Sequence, residues 1–146
     1  MRTRSISTLT LTALAADPAM LTVVDSVVVV DQGDPLVEEQ DGFDAVVTGL
    51  GDRLRIVRQP NLGGAGGFTR GMLETRDRFG DRDGDVLLMD DDIRLDPETV
   101  LRMTSFASLT LRPTLVGGQM LNLHHPSQLV AQGENTALDR FLAGVP

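Results

Sequence analysis

The chain contains no cysteine, no lysine, no tryptophan and no tyrosine. Without Cys, disulfides, thiolate zinc sites and cysteine nucleophiles are excluded. Without Lys, so are the phosphate-binding lysine of a P-loop and Schiff-base chemistry, since each needs a lysine amine. The only aromatics are five Phe, so the flat faces on which sugar rings stack are scarce. No uninterrupted apolar stretch approaches the roughly 20 residues needed to span a bilayer, and no transmembrane segment is expected. Positive charge is also short: 13 basic residues, all Arg, face 21 acidic ones, for a net charge of -8. That balance repels a polyphosphate backbone and argues against nucleic acid as a partner. A small phosphorylated ligand stays compatible if a divalent cation screens it.

What is present fits an α/β protein. The 146 residues are 41% apolar and include 15 Gly, and apolar runs alternate with turn signals, as expected for one domain, or part of one, over residues 1–146. Residues 1–16 loosely echo a leader through Ala13-Leu14-Ala15. The apolar run is broken by Ser7, Thr8, Thr10 and Thr12, and Leu9, Leu11, Leu14 and Ala15 instead outline a helix face. Val27-Val28-Val29-Val30 is a β-branched run expected as a strand buried on both faces. Residues 34–50 are irregular, then helical from Phe43 to near Gly49 or Gly51. Leu54, Ile56 and Val57 form a second strand. A glycine loop, Gly63-Gly64-Ala65-Gly66-Gly67, precedes a helix with Phe68, Met72 and Leu73 on its buried face.

Val86-Leu87-Leu88-Met89 is expected as a third buried strand ending in Asp90-Asp91-Asp92. Asp96 as N-cap, Pro97 at the first helical position and Glu98 behind it announce a helix running to about Arg112-Pro113. Leu115-Val116 and Met120-Leu121 suggest a further strand, and His124-His125-Pro126-Ser127 a turn with solvated imidazoles. Strands alternating with helices at this spacing imply βαβ units and a parallel sheet.

Three adjacent carboxylates repel one another unless a cation or hydrogen bonds compensate. In an extended segment Asp90 and Asp92 share one side, as a natural pair of hard oxygen ligands for Mg²⁺ or Mn²⁺, with phosphates and water completing the shell. The same triplet also reads as a solvated acidic turn ahead of a capped helix. A calcium loop begun by Asp81, Asp83 and Asp85 fits badly, because Val86 and Asp92 stand where Gly and Glu are required. The glycine run exposes amides at a helix N-terminus, which suits a diphosphate, but it lacks the G-x-G-x-x-G spacing and reads equally as a tight connection. Asp31-Gln32-Gly33 follows a strand, and Gln32 can both donate to and accept from a base or ribose.

Taken in order, Val30-Asp31-Gln32-Gly33, Gln59-Pro60-Asn61-Leu62 with its glycines and Phe68, Leu88-Met89-Asp90-Asp91-Asp92-Ile93 and Val116-Gly117-Gly118-Gln119-Met120-Leu121-Asn122 resemble family 2 glycosyltransferases of the GT-A fold. Within that family the likeness is to the polymerising galactofuranosyltransferases of mycobacterial and related actinobacterial cell walls. The resemblance implies a Rossmann-like, mostly parallel sheet with flanking helices, incomplete at both ends. It implies a UDP-galactofuranose donor, Mn²⁺ or Mg²⁺ held by Asp90 and Asp92, and donor contacts from Gln32, Asn61, Gly63, Gly64, Asp90 and Asp91. It further implies inverting transfer to a lipid-linked galactan, a cytoplasmic location at the inner face of the plasma membrane, and compatibility with a homo-oligomer.

An aspartate base, aromatic acceptor platforms and a metal-binding His, which such enzymes carry further along, have no counterpart here, and the expectation is an incomplete enzyme with little activity alone. Two rival readings are a sugar-phosphate nucleotidyltransferase, weakened by the missing Lys, and a non-catalytic metal-binding remnant.

Overall fold

The first helix, α1 (Ile6–Ala16), realises the apolar spacing of Leu11 and Leu14 in the computed structural model, which describes residues 6–80, 82, 84–131, 135–137 and 142–145. Leu11 and Leu14 are buried, but Leu9 faces outward and its polar neighbours Thr8 and Thr10 are buried instead. The expected stripe through Leu9 is therefore corrected. Buried hydroxyls are tolerated when they are hydrogen-bonded, and Thr10 Oγ1 donates to the Ile93 carbonyl at 2.7 Å. A turn in which Asp17 Oδ1 accepts the Ala19 N–H at 2.8 Å leads into the short α2 (Met20–Val23).

The valine run forms β1 (Val27–Asp31). After a 3₁₀ turn at Val37–Glu39 and helix α3 (Phe43–Leu50), β2 (Leu54–Arg58) returns parallel to β1, with Val27 opposite Leu54 and Asp31 opposite Arg58. The chain can leave α3 sharply because Gly51 adopts φ +51°, a region that favours glycine. Alternation along β1 sends Val27 and Val29 into a core of Leu11, Val37, Val46 and Leu50 between the sheet and α1 and α3. Val30 faces the opposite side, where α4 (Gly63–Phe79) passes so that a Cβ at Gly71 would stand 3.7 Å from its Cγ2. Both faces of the sheet are thus covered by helices, as the α/β reading requires. The valines are nonetheless half-buried rather than buried, because β1 is hydrogen-bonded to β2 alone and keeps one unpaired edge among the described residues.

The glycine run is the first turn of α4 and not a loop. No residue of α4 is buried. Met72 and Leu73 are 44% and 41% exposed, which corrects their placement on a buried face. The inward face is instead made by Gly67 and Gly71, four residues apart, with Gly67 against the Gln32 side chain and Gly71 beside Val30. Further along, Glu74 receives Arg55 of β2 and Arg70 of its own helix, each at 2.6 Å. Desolvation pushes the Glu74 pKa upward, but hydrogen bonds and charge from the two guanidinium groups outweigh it and hold the carboxyl below its ordinary value of 4.5. A depressed folded pKa contributes stability above the unfolded value, and that contribution is lost as pH falls through the folded one. Glu74→Gln is therefore expected to unfold at lower urea than the parent at pH 7, with the gap closing below about pH 4; parallel urea titrations across that range check it.

Residues 86–89 do not form the expected strand. Val86, Leu87 and Leu88 are 53%, 45% and 46% exposed, and only Met89 reaches a core, the cluster of Leu14, Met20 and Val100 with Val24 and Leu95. A run of apolar residues has strand propensity but becomes a strand only with a ladder partner, and β1 pairs only with β2 among the described residues. Helix α5 (Pro97–Ser108) starts as expected, with Asp96 Oδ1 accepting the Glu98 N–H at 3.1 Å. It ends four residues before Arg112 because its last turn tightens. The N–H groups of Leu109 and Thr110 reach back three residues, to Phe106 and Ala107, and the Ser108 and Thr110 hydroxyls compete for nearby carbonyls.

The chain divides into two compact units, Met1–Thr104 and Ser105–Pro146. In the second, Met120–Leu121 (β3) pairs antiparallel with Leu129–Ala131 (β4), and Asn135–Ala137 (β5) with Leu142–Val145 (β6). Leu115 and Val116, expected in a strand, are irregular and precede β3. These hairpins are local and do not extend a parallel sheet.

Candidate functional site

Polar groups collect where β1 and β2 end, the edge at which open parallel sheets receive ligands. Asp31 closes β1 and is 7% exposed. Its carboxylate accepts the Gly33 N–H at 3.0 Å and the Val37 N–H at 2.9 Å, and its carbonyl accepts the Gln59 N–H at 3.1 Å. One buried carboxylate thus shapes the loop after β1 and ties it to the end of β2. Arg58, opposite Asp31 in the ladder, forms an ion pair with Glu38 on the 3₁₀ turn.

Gln32 then reaches the start of α4. Its Oε1 accepts the Leu62 N–H at 2.8 Å and Gln59 Nε2 at 3.0 Å, and its Nε2 donates to the Gly63 carbonyl at 3.3 Å. Asn61 Oδ1 accepts the Gly63 N–H at 2.9 Å, and Gly63 holds φ +70°. That conformation is open to glycine at little cost and strained for other residues. Gln32, Asn61 and Gly63 are therefore one hydrogen-bonded cluster, with Gly64 next on the helix. Asn61 acts through its side chain on the Gly63 N–H, and the amides of the first turn lie at the positive end of the α4 dipole.

Asp90, Asp91 and Asp92 lie on a separate segment, all exposed, with Asp91 and Asp92 in a turn. Their flanks are anchored: Met89 packs in the second core and the Ile93 carbonyl is held by Thr10. The pairing of Asp90 and Asp92 on one side presupposed an extended strand, and the turn removes that basis. Among the described residues no carboxylate of the triplet is hydrogen-bonded or ion-paired, and no three acidic or His side chains converge on a point. Of the calcium-loop candidates, Asp81 and Asp83 lie outside the described residues. His124 and His125 are exposed, as expected, and their backbone N–H groups both go to Asn122 Oδ1.

The donor set of the triplet fits a hard cation held by one or two carboxylates whose remaining ligands are phosphate oxygens and water, the usual manner of Mg²⁺. It does not fit a cage made entirely of protein ligands. Three residues that lie within the sequence motifs but received no role there organise the cluster: Asp31, Gln59 and Gly67, where an added Cβ would lie 3.0 Å from Gln32 Nε2. The one available signal was the position of Asp31 and Gln59 at the carboxyl ends of consecutive strands.

Parallel strands under helices on both faces, with a polar cluster at their carboxyl ends, make this an α/β domain. A family model described as glycosyltransferase-like family 2 matches residues 3–141, and the chain belongs to that family. It is 44% identical over 124 residues to the galactofuranosyltransferase GlfT2 of Mycolicibacterium smegmatis, and 46% identical over 121 residues to the galactofuranosyltransferase GlfT2 of Mycobacterium tuberculosis. These matches cover 85% and 83% of this chain but 19% of each relative, so the chain spans about a fifth of their length. Among the described residues no helix is long and apolar enough to cross a membrane.

Proposed function

We propose that this chain is the donor-binding part of a metal-dependent, inverting galactofuranosyltransferase that takes UDP-galactofuranose for cell-wall galactan synthesis. The observation that carries the proposal is the cluster joining Gln32, Asn61 and Gly63 at the carboxyl ends of β1 and β2, in a chain that is 44% and 46% identical to two galactofuranosyltransferases over 124 and 121 aligned residues. In this reading Gln32 and Asn61 line the nucleotide side, while the amides after Gly63 meet the diphosphate. Asp90 and Asp92 hold Mn²⁺ or Mg²⁺, with Asp91 beside the donor. A bound cation supplies charge neutralisation for the diphosphate and for UDP as it departs. Without it, a chain of net charge -8 repels that ligand.

Inverting transfer also needs a base for the acceptor hydroxyl. No residue described above takes that role, so the proposal assigns donor binding to this chain and expects little transfer by it alone. The acceptor is a lipid-linked galactan met at the inner face of the plasma membrane.

Calorimetric titration with UDP tests the reading. Binding is expected only with Mn²⁺ or Mg²⁺ present, and is expected to vanish in Asp92→Ala. Binding without metal, or none at all, would overturn it. Turnover of UTP with a sugar phosphate would replace it with a nucleotidyltransferase.

A further inference from the structure

Gln32 is held by two backbone partners whose chemistry admits one orientation of its carboxamide. The Leu62 N–H only donates, so the atom facing it at 2.8 Å must be Oε1; the Gly63 carbonyl only accepts, so the atom facing it at 3.3 Å must be Nε2. A second donor, Gln59 Nε2 at 3.0 Å, occupies the remaining lone pair of Oε1. The side chain is left with one N–H proton to offer and no free acceptor. Behind it lies Gly67, where an added Cβ would stand 3.0 Å from Gln32 Nε2 and 3.8 Å from its Cδ.

Gly67 is helical and has no left-handed φ, so its own backbone does not require glycine. Alanine is the better helix former at such a position. The nearest atoms an alanine would meet belong to the end of a flexible side chain, which can move aside. The tolerance of the fold for a methyl group there and the tolerance of Gln32 for it therefore differ.

We infer that Gln59 and Gly67 are positioning residues that hold Gln32 as a one-way reader, offering a single N–H donor to an acceptor oxygen of the bound nucleotide. The inference rests on the donor-binding reading proposed above. Gln59 fixes the oxygen end from β2. Gly67 leaves the space in which the nitrogen end can lie against Gly63. A side chain free to flip could meet donors and acceptors alike, whereas one locked in this way rejects a ligand that presents a donor at that point.

Gly67→Ala and Gln59→Leu, made in the full 146-residue chain, test it through three readouts. Titration with UDP in the presence of Mn²⁺ is expected to show about tenfold weaker binding for each variant, the order of one lost hydrogen bond. The melting midpoint of Gly67→Ala is expected to match or exceed the parent, so that affinity and stability move apart. The side-chain amide resonances of Gln32 in isotope-labelled, ligand-free protein are expected to shift in both variants. Parent-like affinity in both variants overturns the inference, as do unmoved Gln32 resonances. A lowered midpoint in Gly67→Ala means that helix packing dictates the glycine, which overturns its part. If the parent itself ignores UDP, the donor reading fails; the Gln32 resonances then still decide whether Gln59 and Gly67 hold the side chain.

Discussion

Asp31→Ala is expected to destabilise the chain by about 3 kcal/mol, since hydrogen bonds to a charged acceptor contribute roughly 1.5–3 kcal/mol each and this carboxylate accepts two. The Val37 N–H it serves is buried and would be left without a partner. For a small domain with a typical stability of about 5–15 kcal/mol this is a large fraction. Asp31→Asn keeps one acceptor oxygen in nearly the same place and should lose about half as much. Urea unfolding followed by circular dichroism measures both. An Asp31→Ala loss below about 1 kcal/mol would mean that the loop after β1 is held by its ladder and by Val37 packing alone. Both variants keep the backbone carbonyl of Asp31 that accepts the Gln59 N–H, so any effect on Gln32 passes through the loop that the carboxylate holds.

Leu50→Ala should cost about 2–5 kcal/mol, the range for removing a buried leucine from a core that relaxes only partly. Leu50 is 2% exposed and belongs to the cluster of Leu11, Val37 and Val46 that joins α1 and α3 to the sheet. Leu73→Ala is the matching control. A leucine of similar helical context but 41% exposed should change stability by no more than about 0.5 kcal/mol. Equal losses at the two positions would show that α4 buries the Phe68, Met72 and Leu73 stripe after all. A small loss at Leu50 would point to collapse of α3 around the cavity.

Much of the architecture was legible because it depends on short-range signals. The β-branched run of β1, the Leu54 to Val57 pattern of β2, and the Asp96-Pro97-Glu98 start of α5 each act through neighbours in sequence, and each appears where expected. Gln32 and the glycine run could be noted for a similar reason, since they sit just beyond strand ends that a parallel sheet brings together, whereas Asn61 was marked only by the resemblance to the family. Residues 86–89 show the limit. Their apolar character was plain, but whether a run becomes a strand depends on a ladder partner that no local pattern specifies. The acidic triplet inherits that limit, since the side to which Asp90 and Asp92 point follows from the backbone that carries them.

The glycines of α4 show it from the other direction. A run of Gly reads as a loop because glycine lowers helix propensity, yet packing overrode propensity. The helix packs beside Val30 of β1 and under Gln32, and the Gln32 and Asn61 side chains satisfy groups at its first turn.

By itself the sequence determined the class of chemistry that is open to this protein. Lacking Lys and carrying an excess of carboxylates, it has only Arg, His or a bound cation to set positive charge against a diphosphate, and its periodicities specify strands alternating with helices. Only the tertiary structure decided which polar groups act together. The locked carboxamide of Gln32, the service of Gln59 to it and the place of Gly67 beside it all arise from contacts between segments about 25 to 35 residues apart. Such contacts depend on how two strands and a helix pack, because a hydrogen bond is directional and an added methyl group is felt over tenths of an ångström.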